Sequence, residues 1–309
     1  MARRTRLASA LTLILLTAAA QAENFIRVDE DDSAARLQTA ITRYQKDGNH
    51  VDLIGAVHIA DKAYYEALNE RFKSYDAVLF EMIGGEKLAA AAAEPAAPEE
   101  PAALEEPAAP EEPAAPEEPA AKQDLSGLHK MYDMVAKFLN LSGQMDSIHY
   151  KAPNFVHADL TYEEFSRMQK ERGESVLGFA LNASKEAPEP AKQPDPTKLL
   201  AAMLSGRSDL VKLEIIHTLG QGDDQIAAFA GESVIISDRN QRCMEVIQRE
   251  VTAGKKNLGV FYGAAHFPDL EKRLLDAGYK RIQQNWLTAW DIPKKAAQPQ
   301  AAGEKKDAA

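Results

Sequence analysis

Short apolar runs, separated by amphipathic stretches, occur near both ends of the chain. The runs typical of buried strands are VDLIGA at 51–56, AVLF at 77–80, SVII at 233–236 and LGVFY at 258–262. After the first run, Tyr64, Leu68 and Phe72 recur every four residues. They would share one face of a helix over 61–73, with Asp61 as its N-cap.

The remaining pattern is mostly helical. Helices are predicted over 125–141, 162–170, 199–204, 210–219, 239–251 and 269–277, and a last strand within 279–290. Thr161 and Glu164 form a capping box at the start of the second of these helices. The pattern predicts an α/β fold with a mixed central sheet, built from two related β-α-β halves with a helical insertion between them.

The two halves share a motif. Gly55-Ala-Val-His58-Ile-Ala-Asp61 matches Gly263-Ala-Ala-His266-Phe-Pro-Asp269 at the Gly, the first Ala, the His and the Asp, and each copy leads from a strand into a helix. The Asp of each copy is expected to cap the helix that follows. The agreement continues beyond the helix. Six residues after Tyr75 comes Glu81, and six residues after Tyr279 comes Asn285, so one half offers a carboxylate where the other offers an amide.

This duplication predicts a ligand site. A glycine at the end of a buried strand, here Gly55 and Gly263, permits close approach of backbone or ligand. The histidines would then lie at the mouth of the sheet, where α/β proteins bind ligands. A pseudo-twofold axis would bring His58 and His266 together, with Glu81 as a third group. Imidazole and carboxylate suit Zn, Mn, Co or Fe(II). A single strand-end histidine is usually structural; two in register favour a functional site.

The matching segments resemble a known family. GAVHIADKAYYEAL, YDAVLFEM, SDRNQRCMEVI and LGVFYGAAHFPDLEKRLLDAGY are similar to the TraB/PrgY/GumN family, which itself resembles the Tiki metalloproteases. By position, the family's two histidines and glutamate correspond to His58, His266 and Glu81, and its Arg-Asn pair corresponds to Arg239-Asn240. The resemblance implies a site for a divalent metal (Mn, Co or Zn) and hydrolase chemistry, without defining a substrate.

Arg239 also stands out without the resemblance, because a cation in the first turn opposes the helix dipole. We expect it to bind a substrate carboxylate or to stabilise an oxyanion; the alternative is a surface arginine paired with Asp238. His157 and Asp159 alternate along a probable strand and are candidates for a further ligand and a supporting acid. Cys243 falls in a predicted helix and is expected to be a buried structural thiol.

The chain is expected to contain one folded domain between two terminal segments. Residues 1–22 combine three arginines, an apolar stretch and Ala20-Gln21-Ala22, which predicts a cleaved signal peptide. Residues 23–293 would form the domain, with a Pro-Ala-Glu repeat at about 89–122 as a disordered insertion, and 294–309 a disordered tail. The mature chain has no stretch long and apolar enough for a transmembrane helix. The expected location is the periplasm or the extracellular space.

Net charge excludes one class of partner. The formal charge of −11 includes three signal-peptide arginines and nine repeat glutamates, and without them it is −5. A mildly acidic domain has no electrostatic footprint for nucleic acid. The expected partner is a peptide or small-molecule substrate, and nothing in the sequence indicates an oligomeric state.

The sequence thus predicts an exported metal-dependent hydrolase, with peptide bonds as the expected target. In that hypothesis the metal binds His58 and His266, and Glu81 is either the third ligand or the general base. Two alternatives remain open: a non-catalytic protein of the same fold that sequesters a peptide or small ligand, and an envelope scaffold. A fold alone does not decide between them.

Overall fold

The computed structural model describes residues 25–86, 88, 133–174, 194–220 and 233–294. The predicted signal peptide at 1–22, the repeat insertion at 89–122 and residues 295–309 of the tail lie outside the described residues. The predicted helix over 125–141 is covered only from residue 133, and residues 133–139 are helical.

A mixed sheet forms the centre of the described part of the chain. Its strands are β1 (Ile26–Glu30), β2 (Ala34–Lys46), β3 (Asn49–Ala56), β5 (Ala77–Phe80), β7 (Phe155–His157), β8 (Asn257–Gly263) and β9 (Lys280–Pro293). A small separate sheet pairs β4 (Ile59–Ala60) with β6 (Ser142–Gly143). The predicted α/β fold with a mixed central sheet is confirmed.

Helices surround this sheet in the described part of the chain. They are α1 (Lys62–Phe72), α2 (Gln144–Ser147), α3 (Tyr162–Arg172), α4 (Pro196–Leu204), α5 (Ser208–Gly220), α6 (Arg239–Thr252) and α7 (Phe267–Asp276). The predicted capping box at the start of α3 is present, because Thr161 and Glu164 exchange side-chain and backbone hydrogen bonds. None of the helices in the described part of the chain combines the length and apolar content needed to span a bilayer.

The strand order brings the two motif strands together. From one edge it runs β9, β2, β3, β8, β5, β7, and β1 pairs with the part of β2 that β3 leaves free. β3, β8, β5 and β7 are parallel, whereas β2 is antiparallel to its neighbours. The carboxyl ends of β3 and β8, which carry the two motifs, therefore lie side by side.

The chain leaves these two strands towards opposite faces of the sheet. Phe261 packs edge-on against Phe72 of α1, with ring centroids 5.0 Å apart. The next residue, Tyr262, contacts Cys243 of α6 through its hydroxyl. Consecutive strand residues point to opposite faces, so α1 covers one face and α6, with α7 packed beside it, the other. Such a switch point between strands is where open α/β sheets bind ligands.

The motif strands pair with a stagger of one residue. Gly55 is in register with Tyr262, and Ala56 with Gly263. Because side chains alternate between faces, a one-residue stagger puts equivalent motif positions on opposite faces of the sheet. The two copies are therefore alike in sequence but meet different surroundings.

Two local predictions are wrong. The run at 233–236 is not a strand: Val234–Asp238 forms a π-helical turn, in which the Ser233 hydroxyl accepts a hydrogen bond from the Ile235 N–H. Periodicity cannot separate a short buried strand from a buried helical turn. The last helix begins before Asp269, at Phe267, after a 3-10 turn over Ala264–His266, so Asp269 does not cap it.

Candidate functional site

A buried polar cluster lies at the carboxyl ends of β5 and β8. We define it by five residues: Glu81, Asp159, Arg239, Asn240 and His266. Glu81 directly follows β5, His266 ends the turn after β8, and Arg239 and Asn240 begin α6. The sequence predicted all five as candidates, and the structure brings them together.

Arg239 is the centre of the buried polar cluster and is only 7% exposed. Its Nε and Nη2 donate to the two oxygens of Asp159 at 2.9 and 2.6 Å, and Nη2 also donates to Oε1 of Glu81 at 2.6 Å. Nη1 lies 3.3 Å from the Ile235 carbonyl oxygen and 3.4 Å from Nε2 of His266. A guanidinium has five N–H groups, so each has an acceptor here.

The alternative of a surface arginine paired with Asp238 is therefore wrong. Asp238 pairs instead with Arg172, at 2.9 Å. The cation at the start of α6 is tolerated because two carboxylates lie against it, and their charge outweighs the unfavourable interaction with the helix dipole.

The charges of the buried polar cluster stabilise one another. Burial alone would raise the pKa of Glu81, but Arg239 and His266 outweigh burial and hold that pKa well below its usual value. Burial alone would lower the pKa of Arg239, and the carboxylates of Asp159 and Glu81 raise it instead. Glu81 is thus ionised at neutral pH, with its side chain 18% exposed to solvent.

Asn240 defines the tautomer of His266. Its Nδ2 donates to the His266 carbonyl oxygen at 3.0 Å and to Oδ2 of Asp269 at 2.8 Å, so its Oδ1 is the acceptor that lies 2.7 Å from Nδ1 of His266. Nδ1 must then carry the proton. The other ring nitrogen, Nε2, faces Oε1 of Glu81 at 3.4 Å.

The two motif glycines have different roles. The backbone N–H of Gly263 donates to Oε2 of Glu81 at 2.6 Å, and a Cβ at this position would lie 3.3 Å from that oxygen. A Cβ at Gly55 would instead lie 3.0 Å from Cβ of Thr39 on the neighbouring strand. Gly263 therefore lets a carboxylate approach the backbone, whereas Gly55 lets two strands pack.

His58 and His266 differ in their surroundings. His58 follows β3, its side chain is exposed, and its carbonyl oxygen accepts a hydrogen bond from the Gln144 N–H at 2.9 Å. His266 is 4% exposed, and its ring packs edge-on against Tyr262. This difference agrees with the stagger of β3 against β8.

Two other candidates have hydrogen-bond or strand partners outside the five residues of the buried polar cluster. His157 ends β7, and its Nε2 hydrogen-bonds to the Met82 carbonyl oxygen at 2.7 Å. Asn285 is exposed on β9, opposite Ile41 of β2. Four strand spacings separate β9 from β5, roughly 19 Å, so the structure does not bring Asn285 to Glu81.

Sequence reasoning missed one member of the site's surroundings. Asp269, expected to be a helix cap, accepts hydrogen bonds from Asn240 and from Nε of Arg273, the latter at 2.6 Å. The sequence feature that could have indicated a role for Asp269 is that an aspartate occurs at the same offset in both motifs. Its counterpart Asp61 instead accepts a hydrogen bond from the Asp291 N–H at 2.7 Å.

The donor set of the buried polar cluster fits two positions of a metal site. Nε2 of His266 and Oε1 of Glu81 are 3.4 Å apart. Metal–ligand bonds of about 2.1 Å in a tetrahedral site place neighbouring donors about 3.4 Å apart. The described residues include no group of three or more His, Cys, Asp or Glu side chains arranged to hold an ion.

No family model, curated protein or solved structure matches the chain in comparisons with known proteins.

The ionised state of Glu81 leads to a pH prediction. Since its folded-state pKa is depressed, its contribution to stability is present above its unfolded pKa of about 4.3 and is lost as pH falls through the folded value. Glu81→Gln cannot titrate. The difference in unfolding free energy between wild type and Glu81→Gln should therefore be largest above about pH 5 and shrink towards about pH 2.

Urea unfolding at a series of pH values measures this difference. The control is Glu66→Gln on α1, whose side chain is 61% exposed and paired only with Lys62 across one helical turn, and which should give a small difference at every pH. A difference for Glu81→Gln that stays constant from neutral to acid would contradict the assignment of the depressed pKa.

Proposed function

We propose that the chain is a divalent-metal-dependent hydrolase whose reactive groups are Glu81 and His266. One observation carries the proposal: Nδ1 of His266 is held by Asn240, so that Nε2 faces an ionised carboxylate oxygen of Glu81 at 3.4 Å. Metal-binding histidines characteristically have the second ring nitrogen held by such a partner.

His266 Nε2 and Glu81 Oε1 would hold the ion, and a water or substrate would complete its coordination. When bound, the ion supplies Lewis-acid polarisation of a substrate carbonyl and lowers the pKa of water. His58 is the third protein ligand that the paired motifs predict. In the described residues His58 is exposed and does not form a three-residue group with His266 and Glu81.

The other groups prepare Glu81 and His266. The Gly263 N–H holds Oε2 of Glu81, which leaves Oε1 directed at His266 and Arg239. Asp159 holds Arg239 through two parallel hydrogen bonds. Arg239 keeps Glu81 ionised, so this carboxylate can accept a proton or bind a cation at neutral pH.

The proposed substrate class is a peptide, because the TraB/PrgY/GumN family, which segments of the chain resemble, is itself similar to the Tiki metalloproteases. The proposed location is outside the cytoplasm, as the signal-peptide pattern at 1–22 indicates. Both statements extend the proposal beyond the buried polar cluster and are tested separately from it.

A second candidate function is ligand binding without catalysis. The supporting observation is that the guanidinium of Arg239 already lies between the carboxylates of Asp159 and Glu81, where it neutralises the charge that would attract a metal ion. In that case the buried polar cluster is a structural support, and the protein binds a peptide or small ligand at the switch point of the sheet without cleaving it.

Metal analysis and a hydrolysis assay separate these functions. The purified protein, dialysed against Mn, Co or Zn, is expected to retain about one ion per chain and to cleave members of a peptide library. Glu81→Gln then defines the role of the carboxylate: metal retained with activity lost indicates a general base, and metal lost indicates a ligand.

His58→Ala tests the third ligand, with His149→Ala as the control because His149 is also exposed. If His58 and His266 share one ion, His58→Ala should lose most of the metal and His149→Ala none.

A wild-type protein that binds no ion and cleaves no peptide with any of the three metals would overturn the hydrolase proposal and leave the binding function.

A further inference from the structure

We infer that Asp269 is a positioning residue: through Asn240 it holds Nδ1 of His266 as a hydrogen-bond donor and so directs Nε2 towards Glu81. The inference deepens the proposed function and rests on it for the role of Nε2. It assigns to Asp269, in the second motif, a role that Asp61, in the first motif, does not have.

The chain of hydrogen bonds is continuous from α7 to the ring. Arg273 donates to Oδ2 of Asp269 at 2.6 Å, Asn240 donates to the same oxygen at 2.8 Å, and Nδ1 of His266 donates to Oδ1 of Asn240 at 2.7 Å. Asn240 is fully buried. Water therefore cannot replace these partners without a large rearrangement.

The amide of Asn240 could in principle lie in two orientations. In the reverse one, Oδ1 would face both the carboxylate of Asp269 and the carbonyl oxygen of His266, which are acceptors only. Two acceptor–acceptor contacts in a buried site are strongly unfavourable. Asp269 thereby excludes the reverse orientation, in which the amide nitrogen would face Nδ1 and move the ring proton to Nε2.

Asp269 is itself held in place. Arg273 lies one helical turn along α7 and reaches the turn before α6, where its Nη2 donates to the Ser237 hydroxyl at 3.0 Å. The link between α6 and α7 thus passes through the carboxylate that orients Asn240. Asp269 thus has the buried amide of Asn240 as a partner in addition to Arg273. A simple ion pair on a helix surface has no such second partner.

The test begins with the ring of His266 in the metal-free full-length protein. Long-range ¹H–¹⁵N correlation of protein labelled at histidine reports which ring nitrogen carries the proton. Wild type should show the Nδ1–H form. Asp269→Ala should populate both forms, because only the His266 carbonyl oxygen then opposes rotation of the Asn240 amide.

Asp269→Asn is the conservative variant. Its side-chain oxygen can accept from both Asn240 and Arg273, so the Nδ1–H form should persist. The matched control is Asp276→Ala, which removes an exposed carboxylate from the same helix, paired with Lys272 and 66% exposed. Its His266 spectrum should equal that of wild type.

Zn binding by isothermal titration provides the second readout. Asp269→Ala should bind Zn about 10- to 100-fold more weakly than wild type, as loss of an outer hydrogen-bond partner does at metal sites. Asp269→Asn and Asp276→Ala should bind as wild type does. If Asp269→Ala does not fold, Asn240→Ala replaces it, since that variant removes the acceptor of Nδ1 directly.

The two proposals fail differently. A single Nδ1–H form in Asp269→Ala, or in its substitute Asn240→Ala, would overturn the positioning role whether or not the protein is a hydrolase. Loss of that form in Asp269→Asn would also overturn it, because the acceptor is retained there. Absence of hydrolysis and metal binding in wild type, with the tautomer pattern as expected, would contradict the proposed function alone.

Discussion

Replacement of Arg239 by methionine is expected to lower the free energy of unfolding by about 3–5 kcal/mol at neutral pH. The variant keeps much of the side-chain volume but leaves two carboxylates facing each other. Asp159 has a side-chain exposure of 0% and Glu81 of 18%, so water screens neither well. Removing one partner of a buried charge pair is costly because the remaining charge stays desolvated.

Urea unfolding at pH 7 and at acid pH measures this effect. In the variant Glu81 lacks the guanidinium of Arg239, so burial raises its folded-state pKa above the unfolded value. The unfavourable contribution of Glu81 is fully present above the raised pKa and disappears below the unfolded pKa, so the loss of stability should be smaller in acid. Arg249→Met on the same helix is the control, since Arg249 is 59% exposed and should cost less than about 1 kcal/mol. An equal, small loss in both variants would mean that solvent reaches the carboxylates.

His266→Ala is expected to lower kcat/KM for peptide hydrolysis by about 10²- to 10⁴-fold, provided that the wild type has the proposed activity. The reason is that Nε2 of His266 and Oε1 of Glu81 act on the same reacting atoms, 3.4 Å apart. Residues that act as a unit are non-additive, so the double variant with Glu81→Gln should be little worse than the more impaired single variant.

Steady-state kinetics with one cleaved peptide measures these ratios, and circular dichroism checks that each variant is folded. His149 is an exposed histidine just after α2, and His149→Ala should leave kcat/KM unchanged. Losses for His266 and Glu81 that multiply in the double variant would show that the two groups act independently and would refute the shared centre.

The strands and helices near the buried polar cluster were largely predictable from local sequence. The runs at 51–56, 77–80 and 258–262 lie within β3, β5 and β8 because a strand covered on both faces must be apolar throughout. The capping box at Thr161 and Glu164 needs only residues that are neighbours in the chain. Local chemistry of this kind is determined by sequence alone.

Local sequence did not predict the structure of a short segment that could form either of two elements. The run at 233–236 satisfies a buried strand and a buried helical turn equally well, and tertiary packing chose the turn. β1 and β2 were not predicted at all. β2 carries Arg36, Gln38 and Arg43 among its apolar residues, and only its pairing with β1, β3 and β9 makes it a strand.

The identity of the candidate site residues also came from sequence, because a repeated motif at two strand ends places Gly55, His58, Gly263 and His266 at one edge of a sheet. What the motif could not determine is the register. The one-residue stagger of β3 against β8 directs Gly55 and Gly263 to opposite faces. The segments that follow also differ, and His266 is buried whereas His58 is exposed.

The partners within the site depended entirely on the tertiary structure. Arg239 and Asp159 are 80 residues apart in the chain, and Asn240 and Asp269 are 29 apart. Asp61 and Asp269 have the same position in the motif, yet one binds the backbone of β9 and the other orients Asn240. Strand order and register decide which distant groups meet, and both depend on how the whole chain packs. The sequence by itself therefore determined which residues were candidates, and the fold decided which of them act together.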